Sequence, residues 1–220
     1  MISVIIPALN ESSNLKKLLP ILIREDVVGQ IIVVDGGSED DTQKIARKHD
    51  VDFYESKMGR ARQMNFGAKK AKHEVLLFLH ADSNVSQADF AQIPRVLKTY
   101  DAGSFYLSFD YKNRLLGFYS TMSKLNFSVF TYGDQGLFIK RTVFEKLNGF
   151  REIPIMEDID MVRRIKRRGS FVKLNTPIIS SSRRFVKNGV LRQQFLNVAL
   201  VSLYYIGVNT KYLARFYHYK

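Results

Sequence analysis

Residues 75–83, VLLFLHADS, run from an apolar segment straight into His80, Ala81 and Asp82. A hard carboxylate suits Mg²⁺ or Mn²⁺ bound together with phosphate oxygens, so Asp82 with His80 is a candidate site for a divalent cation. No Ser or Cys arrangement accompanies the pair, which turns the reading away from a nucleophilic mechanism. A core histidine with a satisfied ring is the plainer alternative for His80. Residues 33–42, VVDGGSEDDT, join Asp35 to Gly36 and Gly37 ahead of a helix-like segment. Glycines allow close backbone approach and a helix start offers free N–H groups, so a nucleotide could sit there, although a tight strand-to-helix turn uses the same residues. Residues 156–160, MEDID, gather Glu157, Asp158 and Asp160 near an expected helix start. The macrodipole favours acids there as caps, and a carboxylate so held could instead take a proton from a hydroxyl as general base.

These residues need a frame. Residues 2–6, 30–34, 51–54 and 75–79 read as strands alternating with helix-like segments, the βαβ signature of a parallel sheet. A continuous apolar run reads as a strand buried on both faces, and a His and an Asp two residues apart on an extended chain project to the same side. Asn10 and Glu11 follow the first strand, Asp35 ends the second and Asp82 ends the fourth. Three strand ends therefore deliver polar groups to the edge where open α/β sheets bind ligands. Leu15, Leu18, Leu19 and Leu22 have helical spacing behind Ser12 and Ser13 as caps, with Pro20 expected to kink or shorten the helix. Ser38 with Asp41 predicts an N-cap for a helix over 42–49, and Thr142 with Glu145 a capping box for a short helix closed by Gly149. Residues 157–169, EDIDMVRRIKRRG, predict a helix ended by Gly169. Phe105, Leu107 and Phe109 alternate with Ser104, Tyr106 and Ser108, a strand with one wetter face.

The chain has 220 residues, 45% of them hydrophobic, enough for one domain with a substantial core. It has no cysteine, which excludes disulfides and thiolate metal sites and fits a reducing cytoplasm. The opening MISVIIPALN lacks the basic and long apolar regions of a signal peptide and reads as a first core strand. The net charge of +13 is uneven: residues 159–220 hold 13 Lys or Arg against Asp160 alone. A basic tail beside a neutral body suits phospholipid, nucleic acid or a phosphorylated substrate, with a merely solvated basic face as the alternative. Residues 195–208, FLNVALVSLYYIGV, are largely apolar but shorter than the about 20 residues that cross a bilayer. They fit a buried helix, or a membrane interface with Tyr204, Tyr205, Tyr212, Phe216, Tyr217 and Tyr219 at headgroup depth and Arg192, Lys211 and Arg215 on anionic lipid.

Six stretches in register carry a family resemblance: VIIPALNE at 4–11, IIVVDGGSEDDT at 31–42, GRARQMNFGA at 59–68, FLHADS at 78–83, DQGLFIKRTVFEKLNGF at 134–150 and EDIDMVRRIKRRG at 157–169. Over roughly residues 2–185 the chain resembles the inverting glycosyltransferases of family 2. The resemblance implies the GT-A type of α/β fold, a Rossmann-like, mostly parallel sheet flanked by helices, here with a C-terminal helical segment. It implies a nucleotide-sugar half at 1–100, an acceptor and catalytic half at 101–187 and an apolar helical segment at 188–220. Pro7, Ala8, Asn10, Glu11 and Asp35 would hold base and ribose, with Arg60 and Gln63 nearby. Asp82 matches the last Asp of the family's DxD motif and would bind Mn²⁺ or Mg²⁺ on the donor diphosphate. His80 stands where that motif usually begins with Asp, and Ala81 lies between them. Asp158 matches the usual catalytic base of the ED motif, beside Glu157. Gln135, Arg183 and Arg184 would lie in the acceptor or diphosphate region.

The resemblance thus implies transfer of a sugar, with inversion, from a nucleoside diphosphate sugar, uridine being the family expectation, to a sugar or lipid-linked acceptor. A polyprenol-phosphate sugar synthase using GDP-mannose or UDP-glucose would share the same motifs. A nucleic-acid-binding protein would fit the charge, but the basic residues cluster after Asp158 while the motif residues are acidic. A nucleotidyltransferase would need a basic, glycine-rich triphosphate loop that the start lacks. The expected setting is the cytoplasm, peripheral to the inner face of the membrane, with a homodimer as a further expectation.

Overall fold

The computed structural model describes residues 1–216, apart from the side chains of Arg183 and Arg184. Tyr217 and Tyr219 lie outside the described residues. The first half runs β1 (Ile2–Ala8), α1 (Ser12–Leu22), β2 (Val28–Asp35), α2 (Thr42–Lys48), β3 (Asp52–Glu55), α3 (Arg60–Lys70), β4 (Val75–Phe78) and α4 (Gln92–Val96). The second runs β5 (Ala102–Phe109), α5 (Arg114–Ser123), two short 3₁₀ turns, β6 (Leu137–Lys140), α6 (Arg141–Lys146), α7 (Glu157–Arg168), β7 (Phe171–Ser180), α8 (Arg183–Asn188), α9 (Val190–Tyr205) and α10 (Thr210–Leu213). Among the described residues, seven strands form one sheet in the order β3-β2-β1-β4-β6-β5-β7. Only β6 runs antiparallel to its neighbours β4 and β5.

The central strands are apolar because both of their faces are covered. Val4, Ile6, Val33 and Leu77 pack with the four leucines of α1 on one side, while Ile5, Ile32, Val34 and Leu76 pack with α3, α6 and α7 on the other. Burying each such side chain contributes about 1.5–3 kcal/mol relative to leaving it exposed. That anchorage explains why α1 continues through Pro20, contrary to the expected shortening. The carbonyl that loses its partner belongs to Lys16, an exposed residue that water can reach.

The expected caps differ in detail. Neither Ser12 nor Ser13 caps α1, and Ser38 does not cap α2. Asp40 takes that place, accepting from the backbone N–H groups of Ser12 and Thr42, 3.1 and 2.9 Å away, and so ties the starts of both helices to one carboxylate. Against the opposing effect of burial, hydrogen bonds from the side chains of Thr42 and Ser12 and then from these backbone groups hold its pKa down to about 2. Thr142 makes no capping box because it already lies inside α6; Asn148 and Gly149, at φ of 56° and 64°, close that helix. Ser104 is buried in the sheet with its hydroxyl unpartnered, so the supposed wetter face of β5 is dry at that position. Among the described residues no helix is long and apolar enough to cross a membrane.

The seating of α3 allows a direct test. A Cβ on Gly67 would stand 2.4 Å from Cγ2 of the fully buried Ile5. Gly67→Ala gains about 1 kcal/mol of helix propensity, but overpacking costs about 1–3 kcal/mol. The expected net loss of up to about 2 kcal/mol is measurable by urea denaturation. A variant of equal or greater stability would mean that α3 does not press on β1 as closely as described.

Candidate active site

The ends of β1 and β2 make a braced loop system. Asp35, 5% exposed, accepts from the backbone N–H groups of Gly37 and Ser38, at 3.0 and 2.8 Å, and from the Ser38 hydroxyl. Ser38 Oγ in turn accepts from the Asn10 N–H, and Asn10 Oδ1 accepts from the Glu39 N–H, both at 2.8 Å. Glu11 donates its N–H to Thr42. Pro7 and Ala8 lie on β1 in register with Val34 and Asp35. Gln63 is buried, and its amide donates to the carbonyls of Ala8 and Val34, each at 2.8 Å. Gln63 is therefore a brace that locks the two strand ends, and those amide hydrogens are spent on backbone.

β4 ends at Phe78, and the Ser83 N–H closes a turn on the His80 carbonyl at 3.1 Å. The alternation expected of an extended chain therefore does not place His80 and Asp82; the turn does. Asp82 is exposed and Ala81 is buried. The His80 ring, partly buried, is kept neutral, its pKa held down to about 3 by burial and then by the Arg60 charge. Arg60, on the first turn of α3, forms an ion pair with Glu157 at 3.3 Å. It thus stands with His80 and Glu157.

The acids at the start of α7 divide by partner. Asp160 is held by Arg151 at 3.1 Å and Arg164 at 2.6 Å, so it braces the fold. Glu157 is 1% exposed, and burial pushes its pKa up to about 7, the neighbouring Asp158 adding to the rise while Arg60 opposes it. Asp158 accepts the Gly133 N–H on Oδ2 and the Ile159 N–H on Oδ1. Both oxygens are thereby oriented. A Cβ on Gly133 would lie 2.9 Å from Asp158 Oδ2 and 3.1 Å from His80 Nε2, so glycine permits both groups to approach the same backbone. Met156, which precedes these acids, sits in the left-handed region at φ 67°, where a side chain costs energy.

The loop before β6 adds residues that the motif reading passed over. Asp134 has an oxygen sealed from solvent without a partner, and burial, then Asp158 and Asp82, push its pKa up to about 7. Tyr119 and Tyr132 stand with ring centroids 5.9 Å apart. His80, Tyr132, Gly133, Glu157 and Asp158 share the lining of one small pocket. Asp134 opens the matching stretch at 134–150, but the motif gives it no role. Gln135, fully buried, donates to the Phe130 carbonyl at 2.8 Å and accepts from Lys173, whose own pKa burial lowers. Among the described residues it is an internal strut. Arg183 and Arg184 open α8, and their side chains lie outside the described ones.

The donor set fits a hard cation. Burial and the charges of Asp158 and Asp82 raise the pKa of Asp134, one of its carboxyl oxygens is unpaired, and the neutral His80 ring can offer a lone pair. Among the described residues no three His, Asp or Glu side chains form a metal cage by themselves, so a cation would also need oxygens from a bound ligand.

The family model for Glycosyl transferase family 2 matches residues 3–184. Among solved structures, TarS residues 1–349 of S. aureus with UDP-GlcNAc aligns at a TM-score of 0.65 and 17% identity, over 83% of this chain and 58% of that one. Glucosyl-3-phosphoglycerate synthase of Mycobacterium tuberculosis, in complex with Mn²⁺, UDP and glucosyl-3-phosphoglycerate, aligns at 0.64 and 17%, over 92% and 78%. The mannosyltransferase PcManGT of Pyrobaculum calidifontis, with GDP-Man and Mn²⁺, aligns at 0.67 and 16%, over 100% and 65%. The chain spans 58% to 65% of the TarS fragment that it matches. These likenesses show the shared GT-A fold. No curated protein matches the sequence.

The raised pKa of Asp134 sets a pH dependence. Its folded value of about 7 exceeds the ordinary 3.8, so its contribution to stability is complete below that ordinary value and is lost as pH rises through about 7. Asp134→Asn cannot ionise and should escape this loss. In chelator-containing buffer, urea denaturation should show the variant gaining on the native protein between about pH 4 and pH 8. A stability difference that does not change over that interval would refute the buried, charge-crowded carboxyl.

Proposed function

The chain is a member of glycosyl transferase family 2, and from that premise we propose that it moves a sugar from a nucleoside diphosphate to an acceptor hydroxyl with inversion. The observation that supports this reading is the approach of Asp158 and His80 to the backbone of Gly133, beside Asp82 and Asp134. A carboxylate oriented by two N–H groups, yet retaining lone pairs, is suited to receive a hydroxyl proton. As that proton passes to Asp158, the acceptor oxygen forms a bond to the anomeric carbon and the bond to the diphosphate breaks on the opposite face. One displacement inverts the configuration.

Asp82, with His80, would hold Mn²⁺ or Mg²⁺, which when bound offsets the charge of the leaving diphosphate. Pro7, Ala8, Asn10, Glu11 and Asp35 form the loop system proposed for base and ribose, with Arg60 set on the pocket side. UDP is the proposed nucleotide, in keeping with the ligands of TarS and the phosphoglycerate synthase, while the mannosyltransferase carries GDP-Man. Residues 1–100 are assigned to the donor, 101–187 to acceptor and catalysis, and 188–220 to the C-terminal helical segment.

Three substitutions separate the roles. Asp82→Ala should abolish transfer and metal-dependent donor binding with little change in the urea midpoint, because the side chain is exposed; His80→Ala should be milder. Near-normal turnover of Asp82→Ala without added metal would remove the assignment.

Asp158→Asn should lower the transfer rate by on the order of 10²- to 10⁴-fold while the donor still binds. Titration calorimetry with UDP-sugars and GDP-mannose, beside initial rates, reads both quantities. Equal losses of donor affinity and rate would point to a structural Asp158.

A further inference from the structure

We infer that α9 docks this protein on an anionic lipid bilayer surface. On α9, Leu191, Phe195 and Val198 are spaced i, i+4, i+7, and Ile206 continues the same face at the helix end. All four are exposed: 71% for Leu191, 77% for Phe195, 51% for Val198 and 76% for Ile206. The opposite face is already spent. Leu200 packs with Ile155 of the loop before α7 and Leu213 of α10. Tyr204 lies under the Arg163 guanidinium, 5.5 Å from the ring centroid, and its hydroxyl reaches Asp160 at 3.5 Å. The stripe is therefore a second, outward apolar face on a helix fixed to α7, the helix that carries Asp158.

The charge around the stripe decides the occupant. Arg192, next to Leu191 on α9, and Lys187, which precedes α9 on α8, are exposed, and from residue 159 onward the single acid, Asp160, is engaged by Arg151 and Arg164. A second copy of the chain laid stripe to stripe would set these cations against their equals with no acid between them. An anionic headgroup layer instead pairs with them while the stripe enters the acyl boundary, and each basic residue near such a surface is worth about 1 kcal/mol. With 16 residues, α9 is short of the about 20 that would cross the bilayer, so it lies in the interface. This docking is independent of the donor assignment, and it would bring the Asp158 pocket close to acceptors embedded in the membrane.

The test is sedimentation of the full chain with vesicles of phosphatidylcholine mixed equally with phosphatidylglycerol, against phosphatidylcholine alone. Binding to the mixed vesicles at low salt is expected, with the neutral vesicles at least about tenfold weaker. Phe195→Ser combined with Ile206→Ser should weaken binding by more than about tenfold, given the apolar burial lost. Lys187→Glu with Arg192→Glu should do likewise. Ile23→Ser, a change at an apolar side chain that is 50% exposed after α1, should leave binding unaltered, and donor binding should persist in every variant. A full chain indifferent to the mixed vesicles at low salt, or bound equally well after Phe195→Ser and Ile206→Ser, overturns the proposal. So does light scattering that finds a dimer dispersed by that double change.

Discussion

Like charge crowded into a poorly hydrated space is the constraint that organises this molecule. Burial, and then the charges of Asp158 and Asp82, raise the pKa of Asp134, and burial with Asp158 raises that of Glu157, beside the neutral His80 ring. Left alone, such carboxyls would move apart or take up protons. They stay together because rigid donors hold them. Gly133 and Ile159 lend backbone N–H groups to Asp158, and Arg60 reaches across from α3 to Glu157. Arg60 is only partly buried, so this pair ties α3 to α7 less tightly than a fully buried one would.

The remaining polar network can be understood as what that crowding requires of its surroundings. Gln63 locks the ends of β1 and β2 by two amide bonds to their carbonyls, and Asp40 ties the starts of α1 and α2. Gln135 joins Lys173 to the Phe130 carbonyl, fixing the loop that supplies Gly133. These side chains contribute precision of position: each bond turns a polar group that would be costly to bury into a fixed distance. Rigidity there matters because a general base must sit within hydrogen-bond reach of the proton that it accepts.

A second asymmetry runs along the chain. Acidic groups gather at the pocket, while the basic residues lie in α7 and after it, in the same part of the chain as an outward apolar helix face. The two regions meet at α7, whose first turn carries Glu157 and Asp158 and whose later Arg163 stacks on Tyr204 and Tyr205 of α9. One helix therefore connects the pocket to the surface that would approach lipid.

The alternation of apolar runs with helical leucine spacing was enough to read the first four strands and the parallel sheet, because both periods are local properties of the chain. The motif order likewise marked His80, Asp82, Glu157 and Asp158 as a group. Separating function from support was beyond it. The bracing bonds of Gln63 and Gln135 could not be read from the motifs, while Asp134 became conspicuous only when burial and two neighbouring acids were seen to raise its pKa. The turn at 80–83 and the continuation of α1 through Pro20 depended on closure and packing elsewhere. Local sequence determines which periods and charges are available. Only tertiary packing decides which polar atoms lose water and which partners replace it, because those partners, 25 residues apart for Gly133 and Asp158 and 97 for Arg60 and Glu157, are brought together by the fold alone.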